Sequence, residues 1–151
     1  MIENIIEREE GFRPNPYLCS EGYVTIGYGT KIHKLQGMKP EDFSLRVTKE
    51  SGFALLQDEL IRVISGIGAS RVSAYYTHLS EERKTIIISM AYQMGLVGIL
   101  NFHKMWRAIS LGNFDLASEE MLDSMWAKQT SGRAKRHAQV MKSGSLATYK
   151  D

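Results

Sequence analysis

Residues 9–30 read EEGFRPNPYLCSEGYVTIGYGT, and the parsing of this stretch decides the fold. Just upstream, Ile2, Ile5 and Ile6 recur at i, i+3 and i+4 between polar residues, which predicts a short helix over residues 2–10. Gly11 should end it, since glycine most readily takes the backbone conformation required past a helix end. Pro14-Asn15-Pro16 then reads as a break. Two strands are expected, over 17–20 and 23–29, turning at Glu21-Gly22, with a third near 32–35.

Beyond this stretch the pattern changes to a helical one. Residues 36–47 are mixed, with Pro40 placed to open a short helical turn. Thr48 is a good N-cap for a long helix carrying Phe53, Leu56, Leu60, Val63, Ile64 and Ile67 on one face and closing near Gly66 and Gly68. At about 18 residues it would span roughly 27 Å, enough to join two lobes. Ser80 should cap a helix over 81–94 closed by Gly95. Shorter helices are expected near 96–101, 103–111 and 115–125, and Thr130 or Ser131 should cap a last one reaching about 142 before Gly144. The expected fold class is α+β, predominantly helical. One domain would hold a small β-bearing lobe (about 12–48), a connecting helix (about 49–67) and a helical lobe (1–11 and about 68–151). A cleft between such lobes is a common ligand site.

The totals exclude several classes. At 151 residues with 43% hydrophobic and 24% charged content, the chain has the make-up of an ordinary globular domain. Its net charge of +2 hides a gradient, because Trp126–Asp151 carries six Lys or Arg against one acid. Such a run is usually a solvated face, and its sharper reading is a patch facing an anionic polymer. A single cysteine allows no internal disulfide. Four acids in the first ten residues leave no room for a signal peptide, and no apolar run reaches the roughly 18–20 residues of a membrane span. The expectation is a protein kept in a cytosol.

Three polar groups stand out in the opening stretch: Glu10, Cys19 and Thr25, with eight residues between the first pair and five between the second. Cleaving a glycosidic bond requires a protonated acid for the leaving oxygen and a second group across the sugar; in inverting enzymes the two stand about 6.5–9.5 Å apart, with a water between. Glu10, at the end of a helix, meets the unfavourable pole of the helix dipole when charged. Thr25 has a hydroxyl suited to holding water. Each residue alone also has an ordinary reading: a helix-end acid, a small buried hydrophobe, a strand threonine.

The surrounding residues carry more. Glu10-Gly11 followed by Tyr17–Thr30, YLCSEGYVTIGYGT, resembles the signature of the phage-type lysozymes, muramidases typified by the T-even phage enzyme. That family's pattern has Glu, eight residues, Asp or sometimes Cys, five residues, Thr. Ser89–Gly95, SMAYQMG, is similar to the family's cleft-lining segment. Trp126, Gln129-Thr130 and Arg133-Ala134-Lys135-Arg136 resemble its C-terminal block, and Tyr149 matches a tyrosine near its end.

The resemblance implies Glu10 as general acid, Cys19 where most relatives have aspartate, and Thr25 as third catalytic residue. It implies sugar contacts from Gln93 and Trp126, with Arg133 beside Glu10 and Arg136 tying Glu9 to the C-terminal end near Tyr149. A guanidinium opposes the protonated state that a general acid needs. Two departures matter: a thiol replaces a carboxylate at Cys19, and Thr30 stands where many relatives carry a histidine in an ion pair. The implied activity is hydrolysis of peptidoglycan between N-acetylmuramic acid and N-acetylglucosamine, by a monomeric endolysin without metal or cofactor. It would not insert stably in the membrane, and would wait in the host cytoplasm for a holin. Rival readings are a wall-binding protein silenced by Cys19 and a cysteine peptidase pairing Cys19 with His33. Nucleic-acid binding by the basic tail is not expected, since no recognition motif accompanies it.

Overall fold

The computed structural model describes residues 1–33 and 35–150, and the chain divides into two compact units, Met1–Arg62 and Val63–Asp151. The first opens with α1 (Ile2–Glu10), which buries Ile5 and Ile6 as the apolar spacing requires. Gly11 closes it at φ 68°, ψ 170°, its N–H donating to the Glu7 carbonyl.

A three-stranded antiparallel sheet follows in the order β1 (Arg13–Leu18), β2 (Val24–Gly27), β3 (Thr30–Lys31). Two expectations are corrected here. Pro14 and Pro16 do not break the chain before the first strand; they lie inside β1. β1 is an edge strand, where missing N–H groups cost no ladder bond, and its pairing with β2 shifts register between Arg13 and Tyr17. The third strand lies at Thr30–Lys31, earlier than the stretch near 32–35, of which Lys34 falls outside the described residues. The β2 strand is buried throughout. Thr30 Oγ1 is buried and, among the described residues, has no hydrogen-bond partner. A buried hydroxyl left unsatisfied costs about 1–3 kcal/mol.

Pro40 does open a 3-10 turn, Pro40–Asp42. The long helix α2 (Lys49–Gly68) spans 20 residues, about 30 Å. Thr48 starts it as expected, its Oγ1 accepting from the Ser51 N–H at 3.1 Å. Leu56, Leu60 and Ile67 are buried along it, whereas Ile64 is 40% exposed.

The second unit is helical around α4 (Glu81–Leu100), whose residues Thr85–Tyr92 are all buried. Burial on every side marks a central core helix. Ser80 caps it, with Oγ accepting from Arg83 N–H at 3.3 Å. Gly95 ends the first part of it as expected, at the non-helical φ 83°, ψ 167°, and a second helical segment follows to Leu100, near the expected 96–101. Around the core run α3 (Ser73–Thr77), α5 (His103–Ser110), α6 (Phe114–Leu122), α7 (Met125–Gln129) and α8 (Ser131–Ser143), with a 3-10 turn at Ala147–Tyr149. Neither α3 nor α7 was expected; five-residue helices hold too little periodicity to announce themselves. Thr130 stands at the N-cap of α8 but makes no capping bond, because its Oγ1 donates to the Trp126 carbonyl at 3.0 Å.

Arg83 fastens the far end of α8. Its Nε donates to the Met141 carbonyl at 2.7 Å and Nη2 to Lys142 at 3.2 Å, while the guanidinium covers the Phe114 ring. A cation on the last carbonyls also opposes the helix dipole. No single helix among the described residues is long and apolar enough to cross a membrane.

Candidate active site

Glu10, Cys19 and Thr25 all lie in the first unit, on α1, on the turn after β1, and on β2. The hairpin turn positions the last two through one atom. Cys19 N–H donates to the Tyr23 carbonyl at 2.9 Å, and Thr25 Oγ1 donates to the same carbonyl at 2.9 Å. Gly22 N–H returns to the Cys19 carbonyl at 3.0 Å and closes the turn. Thr25 is 1% exposed, and its hydroxyl proton is committed to Tyr23, so only its lone pairs are open to a further partner. The Cys19 thiol is half-buried and forms no disulfide.

Glu10 ends α1 and lies against the backbone of Gly29, just past β2. A Cβ on residue 29 would stand 2.8 Å from the Glu10 carboxyl carbon, so the carboxyl occupies the space that glycine leaves open.

Tyr17 links these groups, and the sequence reading did not single it out. It pairs with Thr25 across the β1–β2 ladder, under the Arg13 guanidinium at 4.4 Å. Burial holds its phenol above the usual range, helped by the charges of Glu10 and Cys19 and opposed by Arg13. It therefore stays a neutral hydrogen-bond donor close to both. The expected strand over 17–20 held Tyr17, but its pairing with Thr25 was not readable without the register.

Two polar neighbours are accounted for. Glu21 is matched by Lys31 at 3.5 Å, and Lys31 also sits over the Tyr23 ring. His33, the partner in the peptidase reading, uses Nδ1 to accept the Leu35 N–H at 3.1 Å and packs beside Phe43.

Of the remaining site candidates Glu9 lies on α1 in the first unit, and the others lie in the second. Trp126 is 7% exposed, and its indole N–H donates to Gln93 Oε1 at 2.7 Å. The bond fixes the Gln93 amide and leaves its NH2 group available as a donor. Arg133, also 7% exposed, donates through Nη2 to the Ser89 carbonyl at 3.2 Å and to Ser89 Oγ at 3.0 Å.

Behind Arg133 lies a residue the sequence reading missed. His137 is fully buried, with Nε2 at 2.7 Å from Ser89 Oγ and Nδ1 at 2.5 Å from the Tyr149 hydroxyl. Burial, then Arg133 and Arg136, hold its imidazole well below the ordinary histidine range, so it stays neutral. Arg133, Ser89, His137 and Tyr149 thus form one buried polar chain, and Tyr149 docks the C-terminal turn through it.

Comparison with known proteins agrees with this architecture. The phage lysozyme family model matches residues 7–142. The chain is 28% and 27% identical to probable T4-type lysozymes 1 and 2 of Dictyostelium discoideum, across 99% of this chain and 98% of each of them. It is also 29% identical to the pre-baseplate central spike protein Gp5 of Enterobacteria phage T4, over 98% of this chain but only 28% of that protein's length. With the matched residues running from α1 through nearly all of α8, the chain belongs to the phage lysozyme family and is a glycoside hydrolase of the lysozyme type.

Proposed function

We propose that the chain hydrolyses the β-1,4 bond between N-acetylmuramic acid and N-acetylglucosamine in peptidoglycan, with inversion at the anomeric carbon. Glu10 gives its proton to the glycosidic oxygen as the carbon–oxygen bond breaks. A water attacks the opposite face of the sugar and loses its proton to the Cys19 thiolate. Proton return from Cys19 to Glu10 through solvent completes the cycle. Tyr17, a neutral phenol near both groups, keeps a donor beside them without adding charge.

The observation that carries this reading is the shared Tyr23 carbonyl. Because Thr25 has already donated its proton there, its oxygen is left to accept one from the attacking water, beside the Cys19 thiol. A water so held donates one proton to Thr25 and presents the other to Cys19, which orients its lone pair outward. Gln93, fixed by Trp126, supplies an amide donor for the substrate's acetamido groups or hydroxyls. Arg133 serves as a support, held by Ser89. Arg136 and Glu9 are further proposed supports.

In this reading the protein is a monomeric endolysin without metal or cofactor. It stays in the host cytoplasm until a holin-type lesion lets it reach the wall, and its basic C-terminal region favours that anionic target.

The test is turnover on purified peptidoglycan by the native chain, Glu10→Gln, Cys19→Ala and Cys19→Asp, with the anomer of the released reducing end read by NMR. Native and Cys19→Asp should be active and release the inverted anomer. Glu10→Gln and Cys19→Ala should each lose on the order of 10²–10⁴-fold. A retained anomer would make Cys19 a nucleophile. Activity in both Glu10→Gln and Cys19→Ala would sink the assignment. An inactive native chain revived by Cys19→Asp would leave a wall-binding protein.

A further inference from the structure

A second candidate site lies in the helical unit, built from residues that the glycosidase reading does not use. A pocket of about 300 Å³ opens between the α3 segment and one face of α5. Its lining includes Arg71, Tyr75, His103, Trp106, Arg107 and Ser110. No acid lines it. Elsewhere surface cations find carboxylates, as in Arg62–Glu59 at 2.7 Å and Lys84–Glu81 at 3.3 Å. Among the described residues Arg71, His103 and Arg107 have no such partner. Cations gathered without counter-charge on a concave surface suit an anion.

The individual groups narrow the ligand. Arg71 donates through Nη2 to the Leu100 carbonyl at 2.8 Å, which fixes the guanidinium on the wall and leaves its other donors open. Two guanidinium forks match a tetrahedral oxyanion better than a point charge does. Trp106 is 4% exposed and spends its indole N–H on the Ile99 carbonyl at 2.9 Å, so it presents only apolar ring surface. Tyr75, 44% exposed, adds a second ring at the rim. Ser110 donates to the Arg107 carbonyl at 2.6 Å, so its oxygen is left to accept, as from a ligand hydroxyl.

We propose that this pocket binds the phosphate ester of a polyol, the phosphoryl group between Arg71 and Arg107 and a polyol hydroxyl on Ser110. The ester is either a free molecule or the headgroup of an anionic lipid. The inference stands independently of the glycosidase reading.

NMR titration of the full chain with glycerol 3-phosphate, inorganic phosphate and glycerol tests it, alongside co-sedimentation with phosphatidylglycerol or phosphatidylcholine vesicles. Glycerol 3-phosphate should shift the Trp106 indole signal saturably, inorganic phosphate should bind more weakly, and glycerol should not bind. Arg71→Gln and Arg107→Gln should each weaken binding by about tenfold, the worth of one charge-assisted contact. Lys128→Gln, an equal change of charge elsewhere, should not. Among the described residues the Arg107 side chain makes no hydrogen bond, so its variant tests the site without removing a structural contact. Arginine-dependent binding of glycerol 3-phosphate supports a free ester; the same dependence seen only with phosphatidylglycerol supports the headgroup. Absence of saturable binding in both arms, or equal weakening by Arg107→Gln and Lys128→Gln, overturns the proposal.

Discussion

At the scale of single residues, the contact between Glu10 and Gly29 is the most exposed to disturbance. Residue 29 has φ +81°, and a Cβ there would also come within 3.0 Å of Glu10 Oε2. Gly29→Ala therefore imposes backbone strain of about 1–3 kcal/mol and pushes the carboxyl from its place. The expected outcome is a loss of turnover larger than the loss of stability accounts for, read by comparing kcat with denaturant unfolding. Unchanged kcat in a folded variant would show that Glu10 does not depend on that seat. The spacing of Glu10, Cys19 and Thr25 was legible because all three lie within one hairpin and the helix before it, where sequence distance fixes geometry. His137 was not legible for the opposite reason. Its position beside Arg133, Ala134 and Met141 on a helical face reads as core, but its partner Ser89 is 48 residues away.

At the scale of elements, the sequence marked helix starts and stops alike, at Thr48 and Ser80 as at Gly11 and Gly144. Thr48 and Ser80 cap through their side chains as read, since a hydroxyl at an N-cap has a local partner three residues on. Gly95 was read as a stop before a further helix near 96–101, and the backbone there does leave helical values before a helical segment resumes. What the glycine determines is the local angle; whether the chain continues depends on the packing of Ile99, which is fully buried. At Gly95 an added Cβ would meet nothing within 4 Å, so Gly95→Ala isolates the backbone cost. The variant should lose about 1–3 kcal/mol in chemical denaturation with no change in the folded far-UV spectrum. A loss below a few tenths of a kcal/mol would mean that the kink relaxes into continuous helix. The prolines of β1 misled for a related reason: they exclude a central strand, and the sequence alone does not say which strand is the edge.

At the scale of the whole molecule, the buried histidine couples stability to pH. His137 ionises well below its ordinary value in the folded chain, because burial and the Arg133 and Arg136 charges disfavour the cation. The unfolded chain, with a histidine near pKa 6.5, then binds the extra proton first as pH falls. Stability from this residue is fully present above about pH 6.5 and is lost on acidification, at up to ~1.4 kcal/mol per pH unit until the folded value is reached. Unfolding free energies measured from pH 8 to pH 5 should fall accordingly, and His137→Gln should flatten that slope while lowering stability at pH 8. An unchanged slope in the variant would assign the acid sensitivity to other groups. The helix-rich plan was legible from the change of pattern after residue 48, but this polar interior was not, because it depends on which helix faces meet.

Tyr23 contributes to the proposed site only through its backbone carbonyl, an atom that every amino acid carries. Position 19 is consequently a socket rather than a fitted part: its place is set by main-chain bonds that take no account of the side chain seated there. Exchanging one proton acceptor for another at this position would leave those main-chain bonds in place. The site's chemistry can thus drift while its frame stays still.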